Sequence, residues 1–194
     1  MKAYSNNGLV KYSIFSLYFI ASLALAKDQV VSVNSSVSEL LSGEPISLTM
    51  TYTRTGDALT VGLGLRLHFD STALSCDETS ITDLLSESNV GVQLLDDVEN
   101  FDSDAVTDKY LNTAWANVNG TWPSNSSLPV TLFTLSCTAL SDFSGTALKF
   151  SRSSGASGFG FVADNIVISE RTVSDADTDG DGIADSVDTD DDND

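Results

Sequence analysis

The chain has 194 residues with 9 Lys and Arg against 28 Asp and Glu, a formal net charge of −19, and 41% of its residues are hydrophobic. So acidic a surface repels phosphate backbones and anionic headgroups, which excludes nucleic-acid binding, while the ordinary hydrophobic content excludes a chain disordered throughout. One hydrophobic core fits this length, and a single histidine, His68, leaves histidine-based catalysis almost nothing to work with.

Residues 1–26 read as an export leader. Lys2 and Lys11 flank a polar start, and Tyr12 to Ala26 is an uncharged, largely apolar stretch ending in Ala24-Leu25-Ala26. A basic start, an apolar stretch and an A-x-A site form a secretory signal. The run is too short to span a bilayer, which takes about 20 apolar residues. A lipoprotein signal would need a cysteine where Lys27 stands. Removing 26 of 194 residues, among them Lys2 and Lys11, leaves 168 with 7 basic and 28 acidic side chains, a net charge of −21. The expected product is extracellular or at the cell surface, with no membrane insertion in its mature form. Export places Cys76 and Cys137 in an oxidising compartment, where the one intramolecular pairing open to them is the expected disulfide, two buried free thiols being the other reading.

Residues 27–170 carry a period of two from Val30 onward. Ile46, Leu48, Met50 and Tyr52 alternate with Ser and Thr; Val61, Leu63, Leu65, Leu67 and Phe69 repeat the pattern, with Arg66 and His68 facing out. Further strands are expected around Val90–Leu94, Val130–Phe133, Ala147–Phe150, Phe159–Val162 and Ile166–Ile168, separated by Gly, Asn, Asp and Ser clusters. Ser80–Ser86 is the best candidate for a short helix. Many short strands at this spacing predict an all-β sandwich or jelly roll, and His68 is then a surface strand residue.

The body resembles a cohesin-type domain over roughly residues 30–169. The likeness lies in Gly43-Glu44-Pro45-Ile46-Ser47-Leu48 opening a strand, in Leu63–Phe69 running into Asp70-Ser71-Thr72-Ala73-Leu74, and in the strand Leu128–Thr138. It implies a jelly-roll sandwich of about nine strands, related to carbohydrate-binding modules, that recognises a partner protein or a glycan. No motif matches closely enough to carry over a dockerin-contacting residue.

Between Asp96 and Trp122 the alternation breaks. Asp96, Asp97, Glu99, Asp102, Asp104 and Asp108 lie close together, followed by Tyr110, Trp115 and Trp122. Clustered carboxylates can hold calcium, which takes six to eight oxygens, so Asp102, Asp104 and Asp108 form a candidate second metal site. Two carboxylates could equally flank a glycosidic bond, and the third reading is a solvated acidic loop. Trp115 reads as core. Trp122, in a loop rich in Gly, Asn and Ser, and Tyr110 are the candidate glycan contacts, because an exposed ring can stack on sugar.

Residues 171–194 form the acidic tail. From Ser174 onward it holds ten Asp and no Lys or Arg, nearly half of the net charge of −21 that remains without the leader. With Asp177 as position 1, oxygen donors fall at Asp177, Asp179, Asp181, Asp185 and Asp188. Gly182 sits at the sharp turn of position 6 and Ile183 offers its carbonyl at position 7. That is the register of an EF-hand-like calcium loop. Position 12 is Asp188 where an EF-hand has Glu, and a second loop begins at Asp188, Asp190 and Asp192 and reads as truncated. The segment resembles a thrombospondin type 3 repeat, in which Asp-rich loops wrap successive calcium ions. The resemblance implies that Asp177, Asp179, Asp181, Asp185 and Asp188 are ligands and that Asp190 and Asp192 serve the next ion.

Together these features suggest an exported, non-enzymatic, calcium-binding protein that assembles with an extracellular protein or polysaccharide. The alternative is a carbohydrate-binding module of an extracellular polysaccharide-degrading system.

Overall fold

A computed structural model describes residues 27–124 and 127–172. The leader and the acidic tail, with every ligand expected from Asp177 to Asp192, lie outside the described residues. Eleven strands run in chain order: β1 Lys27–Ser35, β2 Glu39–Leu40, β3 Pro45–Arg54, β4 Gly62–Phe69, β5 Leu74–Thr82, β6 Asn89–Asp96, β7 Lys109–Ala116, β8 Val130–Ala139, β9 Thr146–Gly155, β10 Phe159–Ala163 and β11 Ile166–Glu170. They form two sheets, ordered β10-β1-β3-β8-β5 and β2-β11-β9-β4-β7-β6. The fold is an all-β jelly-roll sandwich, with eleven strands where about nine were expected. Among the described residues no helix is long and apolar enough to cross a membrane.

The alternating segments became strands because each puts one row of apolar side chains on a face that can be buried. Ile46, Leu48, Met50 and Tyr52 of β3 and Leu63, Leu65, Leu67 and Phe69 of β4 are all buried and meet across the core. Leu132, Phe133, Leu135, Leu148 and Trp115 fill the space between them. The outward positions of β3 and β8 are Ser47, Thr49, Thr51, Thr53, Thr134, Ser136 and Thr138, half-buried or exposed and all uncharged. Gln29, buried on β1, donates from Nε2 to the Gly62 carbonyl at 2.9 Å and accepts the Ala156 N–H at 3.1 Å, which ties the two sheets together. Gly62 has φ +132°, and a Cβ there would lie 1.8 Å from the Trp115 carbonyl oxygen, so β4 and β7 approach as they do only with glycine at this position.

Cys76 of β5 and Cys137 of β8 stand opposite each other in the ladder, 4.4 Å apart at Cα, and are joined as a disulfide. The bridge spans 61 residues of sequence, and a loop of that length contributes about 3–5 kcal/mol in the chain-entropy account.

The helix expected over Ser80–Ser86 does not form. Ser80–Thr82 continues β5 beyond a register shift between Cys76 and Ile81, and the Ser80 hydroxyl donates to the Ser136 carbonyl at 2.7 Å. A bulge places two same-side residues out of phase with the period of two, so the segment looks helical when only its apolar spacing is read. Leu85 then bonds backbone to backbone with Leu132 and accepts the Trp115 indole N–H at 2.7 Å.

Candidate functional site

The site grows from the hairpin β6–β7. Its base is closed by Asp97 N–H on the Asp108 carbonyl at 2.8 Å and by the Lys109–Asp96 ion pair at 2.6 Å. The twelve residues between the strands, 97–108, fold back over the outer face of their own sheet. They do so by turns that their acidic side chains build. Asp97 accepts the Phe101 N–H at 3.1 Å, Asp102 the Asp104 N–H at 3.1 Å, and Asp104 the Val106 N–H at 3.0 Å. A short side-chain oxygen bonding two to four residues ahead is what favours Asp in such turns. Asn100 and Ser103 adopt positive φ of 52° and 61°.

What lies beneath the loop is the outward row of β4, β7 and β9. The Arg66 guanidinium stacks on Phe101, 3.8 Å from the ring centroid, and lies 5.6 Å from that of Tyr110. His68 is 0% exposed. Its Nδ1 lies 2.8 Å from Asp97 Oδ2 and its Nε2 lies 2.7 Å from Ser151 Oγ. This corrects the reading of His68 as a surface strand residue: alternation placed it on the outer side, and the loop then covered that side. Burial pushes the imidazole below its ordinary value, against the pull of the Asp102 and Asp97 carboxylates.

The acidic residues take separate roles. Asp104 pairs with Lys149 Nζ at 2.6 Å, and that bond, with the Val106 N–H, holds its carboxyl below the usual range. Asp108 accepts the Ser71 N–H and O–H, both at 2.7 Å; burial raises its carboxyl, but these bonds outweigh it and the net displacement is downward. Asp102 accepts the Thr107 hydroxyl at 2.6 Å. The trio Asp102, Asp104 and Asp108 is therefore not gathered into one site. Asp102 instead joins His68 and Asp97, with one ligand atom of each within 4.8 Å of the others. Asp96, Asp97, Asp104 and Asp108 line an open concavity of about 390 Å³ beside this cluster.

Both candidate glycan rings are buried, which corrects their assignment. Trp122 is 0% exposed and packs 4.6 Å from Tyr52 and 5.9 Å from Trp115 between ring centroids. Tyr110 is 8% exposed, covered by Phe101 and lying against His68. Neither offers a face on which a sugar could stack. The His68 cluster itself was missed; the signal for it was a histidine, a charged arginine and a long acidic hairpin on one sheet face.

Aspartate, imidazole and a serine hydroxyl in line are also the parts of a hydrolase triad. The acidic concavity is lined by neither His68 nor Ser151, and the imidazole is covered from solvent. The arrangement works here as a polar tie that holds the loop to the sheet.

No family model matches the chain, and no curated protein matches it. Among solved structures it is similar to a type I cohesin in a cohesin–dockerin complex from Clostridium thermocellum, at 10% identity and a TM-score of 0.49, covering 75% of this chain and 99% of that one. It is similar to a type II cohesin domain from the cellulosome of Acetivibrio cellulolyticus at 11% identity and a TM-score of 0.48, covering 73% and 95%. A third is a type I cohesin from Pseudobacteroides cellulosolvens, at 10% identity and a TM-score of 0.47, covering 76% and 94%. Each is a structure this chain is similar to, at an identity too low to carry that structure's partners over to it.

Proposed function

We propose that the chain is an exported, non-enzymatic binding module: a disulfide-bridged sandwich that bears a calcium-binding tail and assembles with an extracellular protein. The observation that carries the reading is the register of Asp177, Asp179, Asp181, Gly182, Asp185 and Asp188. Alternate carboxylates and a glycine at the turn are what a loop needs to wrap a hard cation with oxygen ligands. Ten aspartates with no basic residue among them repel one another unless a divalent ion offsets the charge.

The sandwich supports this role by giving the tail a fixed root. After β11, the Arg171 N–H bonds the Leu40 carbonyl at 2.8 Å and the Arg171 guanidinium pairs with Glu44. The disulfide supports export, since such bridges persist in oxidising compartments. Partner recognition rests on the likeness of residues 30–169 to the cohesin pattern. The carbohydrate alternative loses the two rings on which it stood.

The test is limited proteolysis of the full chain in calcium and in chelator. Calcium should protect residues 173–194 from cleavage and leave the cutting of the sandwich unchanged, and the protection should vanish in Asp177→Asn/Asp181→Asn. Identical cleavage with and without calcium would remove the metal from the proposal. Retardation by soluble polysaccharides in an affinity gel would restore the glycan reading.

A further inference from the structure

We infer that His68, Asp97 and Asp102 form a site for a divalent transition cation of the zinc type, separate from the calcium register of the tail. The three side chains come from the penultimate position of β4 and from two points of the β6–β7 loop, and they converge with ligand atoms within 4.8 Å of one another. In a tetrahedral zinc site with bonds of about 2.0–2.2 Å, ligand atoms lie roughly 3.3–3.5 Å apart. His68 Nδ1 and Asp97 Oδ2 are hydrogen-bonded at 2.8 Å, so binding would replace the proton between them by the metal and part them by about half an ångström, while Asp102, a half-buried side chain on the loop, closes in.

Three features separate this cluster from an ordinary group of surface acids. First, one member is an imidazole buried in the sheet, a donor that suits zinc, copper or nickel and not calcium. Second, the far ring nitrogen has a partner: Ser151 Oγ stands 2.7 Å from Nε2 and can accept its proton when a metal takes Nδ1, as partners of metal-bound histidines do. Third, two carboxylates face one imidazole, and the Arg66 guanidinium, which acts against a charge on that ring, is stacked on Phe101. A bound dication would offset the remaining negative charge. Asp97 also lines the acidic concavity, so a cation drawn to Asp96, Asp104 and Asp108 arrives beside the ligand it must reach. Three protein ligands leave the fourth tetrahedral position to water. Calcium fits poorly, because a cluster of one imidazole and two carboxylates lacks the six to eight oxygens that calcium takes.

Because His68 is the chain's one histidine, its ring signals can be read without assignment. The experiment is ¹⁵N imidazole NMR of the full chain in excess calcium, which fills the tail sites if the proposed function holds, titrated with zinc alone. One equivalent should move the Nδ1 resonance to the metal-bound position and leave the ring's single proton on Nε2, facing Ser151 Oγ. Asp102→Asn, a conservative change at a half-buried position, should weaken zinc by at least roughly tenfold, the loss that even a supporting partner causes. Ring signals unmoved by excess zinc would overturn the inference, as would zinc taken up elsewhere without moving them. An equal response in Asp102→Asn would overturn it as well.

Discussion

Two acidic stretches of this chain look alike in composition and differ in what surrounds each carboxylate. In the hairpin loop 97–108 and its flanking Asp96, five of the six acidic residues have a donor within the sandwich: Asp96 has Lys109, Asp97 has His68 and Phe101 N–H, Asp102 has Thr107, Asp104 has Lys149, and Asp108 has Ser71. In the tail from Ser174, ten aspartates share a segment with no Lys or Arg. A carboxylate supplied with donors by its own fold stabilises that fold and is poorly placed to collect calcium. One without such donors in its own sequence is best matched by an ion from solution. The same residue type therefore builds structure in one place and is expected to bind metal in the other.

That contrast can be broken first at Asp97. Asp97→Ala leaves the buried His68 ring nitrogen and the Phe101 N–H without their acceptor, and should destabilise the sandwich by about 2–4 kcal/mol in urea unfolding monitored with chelator present. A loss below a few tenths would mean that the loop is not tied down through this residue. Asp108→Ala, which removes both bonds to Ser71, should cost less, about 1 kcal/mol, by the same measurement.

Acid should attack the loop in the same sense. Asp104 and Asp108 have folded values below the ordinary carboxylate value of 3.8, so their contribution is complete above that pH and is lost as the pH falls through their lowered values. Melting in chelator should therefore begin to fall below about pH 6.5, where the unfolded chain takes up the proton that the buried His68 ring resists, and decline further below the ordinary carboxylate range. Asp108→Asn should flatten part of that decline. The smaller effect belongs to Lys149→Met, which breaks an ion pair with partly exposed members and should shift the melt slightly, less so in high salt. Smallest of all in chelator should be Asp177→Asn, with no measurable change in the unfolding of the sandwich.

Much of the fold was legible in the sequence because period-two patterning needs only one buried face. Leu48, Met50, Leu65 and Leu67 could be placed in the core by counting alone. Cys76 and Cys137 could be paired by arithmetic and compartment, and their strands proved to be neighbours. Alternation assigns a side chain to a side of its sheet and says nothing about what later covers that side. His68 was placed on the outer face, where it does lie, yet a loop closing 29 residues on in the sequence buries it. Trp122 sits among Gly, Asn, Pro and Ser, a neighbourhood that suggests exposure, but its ring fills the gap between Tyr52 and Trp115. Ser80–Ser86 was misread because a bulge in β5 disturbs the period locally. The grouping of Asp102 with Asp104 and Asp108 followed sequence distance, whereas Lys149 and Ser71, far along the chain, draw two of the three away.

The measurement that bears most directly on the central claim is a calorimetric calcium titration of the full chain beside two variants, Asp177→Asn/Asp181→Asn in the tail and Asp104→Asn in the loop. A saturable heat that the tail variant loses and the loop variant keeps is the expected result. No heat at millimolar calcium, or a heat that survives in the tail variant and disappears in the loop variant, would contradict the division of labour between the two acidic stretches.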